Sequence, residues 1–185
     1  MSFSVSPVLI FLVCVFLYFG FWSVLLPVAA IAAAHELGHL LALRLCGVRL
    51  RALRLGAFGA VLEHAPTSCG KELLCAAAGP CVNLLLWLLL PAGSPAAAIS
   101  LGMLLYNLLP IYPLDGGRIL RCLLLSRLCL ARTELWMARI AQGTVAVLLC
   151  ASFYLTIALK LNGFLLISAG FLVIKCIFLA KDSRS

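Results

Sequence analysis

His35 and His39 stand four residues apart with Glu36 between them, inside an apolar run that reads Val28-Ala-Ala-Ile-Ala-Ala-Ala-His-Glu-Leu-Gly-His-Leu-Leu-Ala-Leu. On a helix, positions i and i+4 share a face. Both imidazoles can therefore reach a single zinc ion, and Glu36 can approach water held by that ion. With three histidines and six acidic residues in the whole chain, H-E-x-x-H would arise by chance in roughly one chain in a thousand of this composition. The setting says more than the pattern. An ionisable triplet in hydrocarbon costs a few kcal/mol, so it is expected there only where it has a function. The residues predict a zinc protease site built within a membrane.

Two histidines need at least a third protein ligand. The remaining candidates are His64, Glu63, Glu72, Asp115, Glu134 and Asp182. Asp115 stands out because it follows a run that cannot be a regular helix: Asn107-Leu-Leu-Pro110-Ile-Tyr-Pro113-Leu-Asp115-Gly116-Gly117-Arg118. Two prolines and two glycines break the chain there. Broken backbone at membrane depth is tolerated only where it faces protein or a water-filled cavity. A plainer reading makes the same run an exit turn, with Asp115 as a helix cap. Glu134 is the only late glutamate that could serve a different membrane zincin, and no E-x-x-x-D-type pattern surrounds it.

The elements that must position these residues follow from composition. A chain of 185 residues that is 65% hydrophobic and 11% charged, with mean hydropathy +1.19, belongs to the polytopic membrane class. At about 20 residues per span there is room for about six spans and little else. The apolar runs occupy about 7–22, 24–46, 71–91, 95–113, 134–158 and 162–180. The first has no basic n-region and no small-residue cleavage site, so it reads as a retained span rather than a signal peptide. It forms a helical hairpin with the second through a tight turn near Trp22 and Ser23. The nine cysteines are scattered and never spaced as C-x-x-C, which suits small apolar residues of packed helices rather than a disulfide frame.

Charge sets the expected orientation. Arg44, Arg49, Arg51, Arg54 and Lys71 flank the loop after the second span. Arg118, Arg121, Arg127 and Arg132 lie between the fourth and fifth, and Lys181 and Arg184 close the chain. The opposite side carries Lys160 alone, so both termini are expected to face the cytoplasm. The net charge of +8 reads as membrane anchoring beside a lipid bilayer, not as nucleic-acid binding. Residues 48–55 alternate apolar and basic with a slip at Ala52-Leu53, and Gly56 and Gly59 interrupt before Val61-Leu62-Glu63-His64. This predicts a short β-hairpin at the membrane surface, with a basic loop on anionic headgroups as the alternative. Arginines among leucines at 118–132 suggest an interfacial helix. The fold class expected is thus an all-α polytopic membrane protein of about six transmembrane helices, with one short surface hairpin between spans two and three.

His35-Glu36-Leu37-Gly38-His39, Ala78-Gly79-Pro80-Cys81-Val82-Asn83 and the run from Asn107 to Gly116 occur in an order that resembles the site-two family of intramembrane zinc metalloproteases. Within it, the likeness is to the compact branch of the stage IV sporulation protein FB, which cleaves a membrane-tethered pro-sigma factor. The resemblance covers nearly the whole chain. It implies one zinc per chain held by His35, His39 and Asp115, with Glu36 as the catalytic acid/base. It further implies that Asn107, Pro110 and Pro113 shape a substrate groove beside the metal, and that the 48–55 strand matches a membrane-surface sheet to which an extended substrate adds. A single integral-membrane domain over 1–185 is expected, with no PDZ or CBS domain appended.

The function implied is hydrolysis of a peptide bond in or near a transmembrane or membrane-tethered substrate. A pro-sigma or anti-sigma factor in regulated intramembrane proteolysis would be such a substrate, in a bacterial cell membrane and with possible inhibitory membrane partners. A non-catalytic metal-binding or transport protein is the alternative from another class. It would be expected to place ligands along a path through several spans, whereas here they lie near one depth. For Asn107 two readings stand: holding unwound substrate backbone, or bridging helices. For Asn83 the favoured reading is polar glue between helices, and for His64 a surface histidine. Gly79 reads as a place where a neighbour approaches closely.

Overall fold

The computed structural model describes residues 2–5, 7–20, 22–56, 59–65 and 67–158. The chain clusters into two compact units, Met1–Leu108 and Leu109–Ser185. The first holds β1 (Ser2–Val5), α1 (Pro7–Tyr18), α2 (Trp22–Leu45), β2 (Leu50–Gly56), β3 (Gly59–His64), α3 (Cys69–Leu89) and α4 (Pro95–Asn107). The second holds α5 (Asp115–Leu125) and α6 (Leu130–Ala158).

The interior of the first unit is built by α2, α3 and α4, each touching the other two. On α2 the buried residues Ile31, His35, Gly38, His39 and Leu43 fall at i, i+4, i+7, i+8 and i+12, one stripe of a 3.6-residue helix. Cys75, Ala76, Gly79, Pro80 and Asn83 make the matching stripe on α3, and Ala97, Ser100 and Leu104 that of α4. Small residues at the contact let the backbones close up. A Cβ added at Gly38 would lie 2.7 Å from Val82 Cγ2 and 3.0 Å from the Ala78 carbonyl oxygen. Such packing must substitute for the hydrophobic effect, since a lipid tail is as apolar as the next helix.

Local chemistry sets the helix ends. α4 starts at Pro95 behind Ser94, whose hydroxyl accepts from the Ala97 N–H at 3.2 Å. That is an N-cap followed by proline at a position with no hydrogen bond to lose. At the end of α2 the Gly47 N–H bonds the Arg44 carbonyl at 3.1 Å, and the Val48 N–H bonds that of Leu43 at 2.9 Å. Gly47 has φ +67°, the left-handed residue this Schellman closure requires. Lys71 Nζ donates to the Cys46 carbonyl at 2.9 Å, supplying positive charge at the helix C-terminus.

Three helices among the described residues are long and apolar enough to cross a membrane: α2, α3 and α6, of 24, 21 and 29 residues. They correspond to the expected second, third and fifth spans. The first and fourth expected spans appear as shorter helices, α1 with 12 residues and α4 with 13. At 1.5 Å per residue each is about 20 Å long, short of a hydrocarbon core about 30 Å thick. The expected sixth span, 162–180, lies outside the described residues. The turn joining the first two helices falls at Phe19-Gly20, where the Gly20 N–H bonds the Leu17 carbonyl at 3.1 Å, rather than at Trp22-Ser23. The helix expected over 118–132 runs from Asp115 to Leu125, and α6 begins at Leu130.

The three strands form one sheet in the order β1-β2-β3. β2 pairs antiparallel with β3, Leu53 opposite Leu62 and Leu55 opposite Ala60, with an irregularity between Leu50 and Ala52. β1, which the sequence did not suggest, pairs parallel with β2 from Ser2 opposite Ala52 to Val5 opposite Leu55. The expectation that the 48–55 strand receives a substrate strand is therefore corrected. β2 is the middle strand, its backbone committed on both sides across Ala52–Leu55, and an added strand would have to pair with β1 or β3.

Candidate metal centre

The stripe on α2 brings His35 and His39 to the α3 interface, where both are buried, at 3% and 4% exposure. Their rings meet edge to face with centroids 4.7 Å apart, and their Nε2 atoms are 3.1 Å apart. Two nitrogens sharing a tetrahedral zinc at 2.0–2.1 Å lie about 3.3 Å apart. The spacing fits the metal. The outer nitrogens are also engaged. His39 Nδ1 lies 2.7 Å from the Cys75 carbonyl oxygen, which can only accept. The proton of a neutral His39 is thereby held on Nδ1, and the Nε2 lone pair is left to point inward, as in second-shell control of a metal-bound imidazole.

Gly79 completes the cradle. A Cβ at this position would run into Nε2 of His39 and Nε2 of His35. The neighbour that approaches Gly79 is the pair of imidazoles itself. One turn further along α3, Asn83 is fully buried and places its side-chain amide 3.0 Å from His35 Nδ1. The glue reading of Asn83 holds in the sense that it bridges α3 to α2, but its partner is a candidate ligand. The signal available in the sequence was spacing: Gly79 and Asn83 are i and i+4, matching His35 and His39. Ser100 on α4 donates to the Asn83 backbone carbonyl at 2.8 Å, fixing α3 at this turn.

Glu36 is half-buried on the same turn of α2. Asn107, the last residue of α4, donates from Nδ2 to the Met103 carbonyl at 3.0 Å, a bond within its own helix. His64 and Glu63 lie on β3, and Glu72 in the first turn of α3. Asp182 lies outside the described residues.

In the second unit, Asp115 is the first residue of α5 and is buried at 6% exposure. Arg118 Nη1 stands 3.6 Å from its carboxylate, and the helix N-terminus favours its negative charge. The preceding segment folds back tightly on α5. The Leu114 N–H bonds the Ile111 carbonyl at 2.8 Å, and a Cβ at Gly117 would collide with the Ile111 carbonyl group and stand 2.5 Å from Tyr112 N. Pro110 is half-buried, and Pro113, also half-buried, follows a cis peptide bond from Tyr112. Glu134, the alternative ligand, is half-exposed and accepts from Arg121 Nε and Nη2 at 2.9 and 2.8 Å. That bond, opposed by a smaller desolvation effect, raises the Arg121 pKa above its already high value.

No family model matches the chain. A Synechocystis protein bearing the name zinc metalloprotease is 36% identical over 118 residues, spanning 55% of this chain and 31% of that protein. A zinc metalloprotease of Methanocaldococcus jannaschii is 28% identical over 144 residues, spanning 70% of this chain and 42% of that protein. The matches thus cover less than half the length of either curated relative. Among solved structures, the site-2 protease from Methanocaldococcus jannaschii aligns with TM-score 0.66 at 25% identity, over 95% of this chain and 90% of that one. Three of the described helices are long and apolar enough to cross a membrane, and these likenesses are to zinc metalloproteases and to a site-2 protease. They do not single out the sporulation branch.

Proposed function

We propose that this chain is an intramembrane zinc metalloendopeptidase, hydrolysing a peptide bond in or near the transmembrane or membrane-tethered segment of a protein substrate. The observation that carries the reading is the pair of buried imidazoles with Nε2 atoms 3.1 Å apart and outer nitrogens engaged by the Cys75 carbonyl and the Asn83 amide. His35 and His39 supply two ligands and Asp115 the third, one zinc being held per chain. The Asp115 carboxylate is buried at the start of α5 with Arg118 on one side, and two nitrogens with one oxygen leave a position open for water.

Zinc, when bound, supplies Lewis-acid activation of water and of the scissile carbonyl. Glu36, one residue from His35, takes the proton from the attacking water and returns it to the leaving amine. A transmembrane helix hides its amides in its own hydrogen bonds, so the substrate segment unwinds before attack. Asn107, Pro110 and Pro113 receive that unwound backbone. The Asn107 amide nitrogen is tied to Met103, and its oxygen is the atom offered to a substrate N–H.

A pro-sigma or anti-sigma factor in a bacterial plasma membrane is the substrate class favoured, with both chain termini cytoplasmic. The sequence resemblance and the basic flanks of the spans support this. Co-expression with tethered candidate substrates tests the activity. The wild type should release a truncated product, and Glu36→Gln should release none while retaining about one zinc. Near-wild-type turnover by Glu36→Gln would remove the protease assignment.

A further inference from the structure

We infer that Asn83 is a positioning residue of the metal centre: its side-chain oxygen accepts from His35 Nδ1–H and so turns the Nε2 lone pair of His35 toward the same point as that of His39. The inference deepens the zinc reading above and rests on it. Asn83 is fully buried. In the structure its Nδ2 faces His35 Nδ1 at 3.0 Å, while its Oδ1, also buried, meets no donor. An unpaired buried polar group costs about 1–3 kcal/mol in either setting of the amide, Oδ1 in one and Nδ2 in the other, so what lies between the two Nε2 atoms decides which setting is held.

A half-turn of the amide exchanges nitrogen and oxygen with no change of volume. In the first setting, with Nδ2 facing the ring, His35 Nδ1 must accept, its proton sits on Nε2, and that proton bridges to His39 Nε2 across 3.1 Å. In the turned setting Oδ1 gains the Nδ1 proton as its donor. Both Nε2 atoms then present lone pairs to each other, because the Cys75 carbonyl already holds the His39 proton on Nδ1. Two facing acceptors repel unless a cation lies between them. One side chain therefore has two settings, one matched to a shared proton and the other to a shared cation. The Ser100 bond to the Asn83 backbone carbonyl, at 2.8 Å, keeps the amide at the right height for both.

The test is zinc affinity by chelator competition on the purified full-length chain, with the visible spectrum of the cobalt-substituted protein as a second readout. Asn83→Leu removes the acceptor and should weaken zinc by about tenfold to a hundredfold, the usual effect of losing a second-shell partner. Asn83→Asp keeps only acceptors and should hold zinc at least as tightly as wild type, with the cobalt bands preserved. Mere interhelical glue would give no reason for Asp to succeed where Leu fails. Wild-type affinity in folded Asn83→Leu overturns the inference alone, as does loss of metal in folded Asn83→Asp. A wild-type chain that holds no zinc overturns the zinc reading, and this inference with it.

Discussion

Two i, i+4 pairs on facing helices define the centre at the residue scale: His35 and His39 on α2, Gly79 and Asn83 on α3. Gly79 gives the sharper test, because a methyl there would occupy the space of both Nε2 atoms. Gly79→Ala should lose most bound zinc and cut cleavage about a hundredfold, as expected when a reacting group is displaced by an ångström or so. Gly102→Ala on α4 is the control. Its added Cβ meets nothing within 4 Å, and alanine gains up to about 1 kcal/mol of helix propensity. Equal zinc content in the two variants would remove Gly79 from the centre. His35→Ala and His39→Ala should each release the metal. Asp115→Ala should lower zinc affinity and activity together, measured by chelator competition and product release. Full occupancy with normal cleavage in that variant would exclude Asp115 and move the search to Glu72 or His64.

At the scale of elements, substrate capture is expected at an outer edge of the sheet. β2 is internal, so the accessible backbone belongs to β1 and β3. Prolines placed singly along Gly59–His64 should divide by alternation. Those replacing donors to β2 should weaken the hairpin. Those replacing outward donors should reduce cleavage of a tethered substrate with zinc content unchanged. If no outward position changes cleavage, strand addition at that edge is ruled out. The same elements show what was legible in the sequence. H-E-x-x-H, Gly79-Pro80-x-x-Asn83 and the Pro110-to-Gly117 run could be read because each is local. α2, α3 and α6 could be read because a long apolar run is what a hydrocarbon core demands of a helix that crosses it. β1 could not, since the four residues Ser2–Val5 are too few to show a period and their partner lies about fifty positions away. The end of α4 was equally hidden, because Leu108 and Leu109 are as apolar as the helix they follow.

For the whole molecule, orientation is the measurable consequence of charge. Reporter fusions after Ser185 and within residues 48–64 should both report the cytoplasm, and a fusion at 92–94 the opposite side, following the excess of Arg and Lys named above. An extracytoplasmic signal from the loop carrying Arg49, Arg51 and Arg54 would reverse the assignment. A different consequence follows from the outward faces of the long helices, where Leu37, Leu41, Leu85, Leu88, Leu135 and Val147 are all exposed. Once extracted, such a chain is held in solution only by what coats these faces, and molecules that open will coalesce faster than they close. Its durability on the bench is then a half-life rather than an equilibrium constant. Variants of this protein are best ranked by how slowly they inactivate at one temperature in one detergent, since an apparent melting point would change with heating rate.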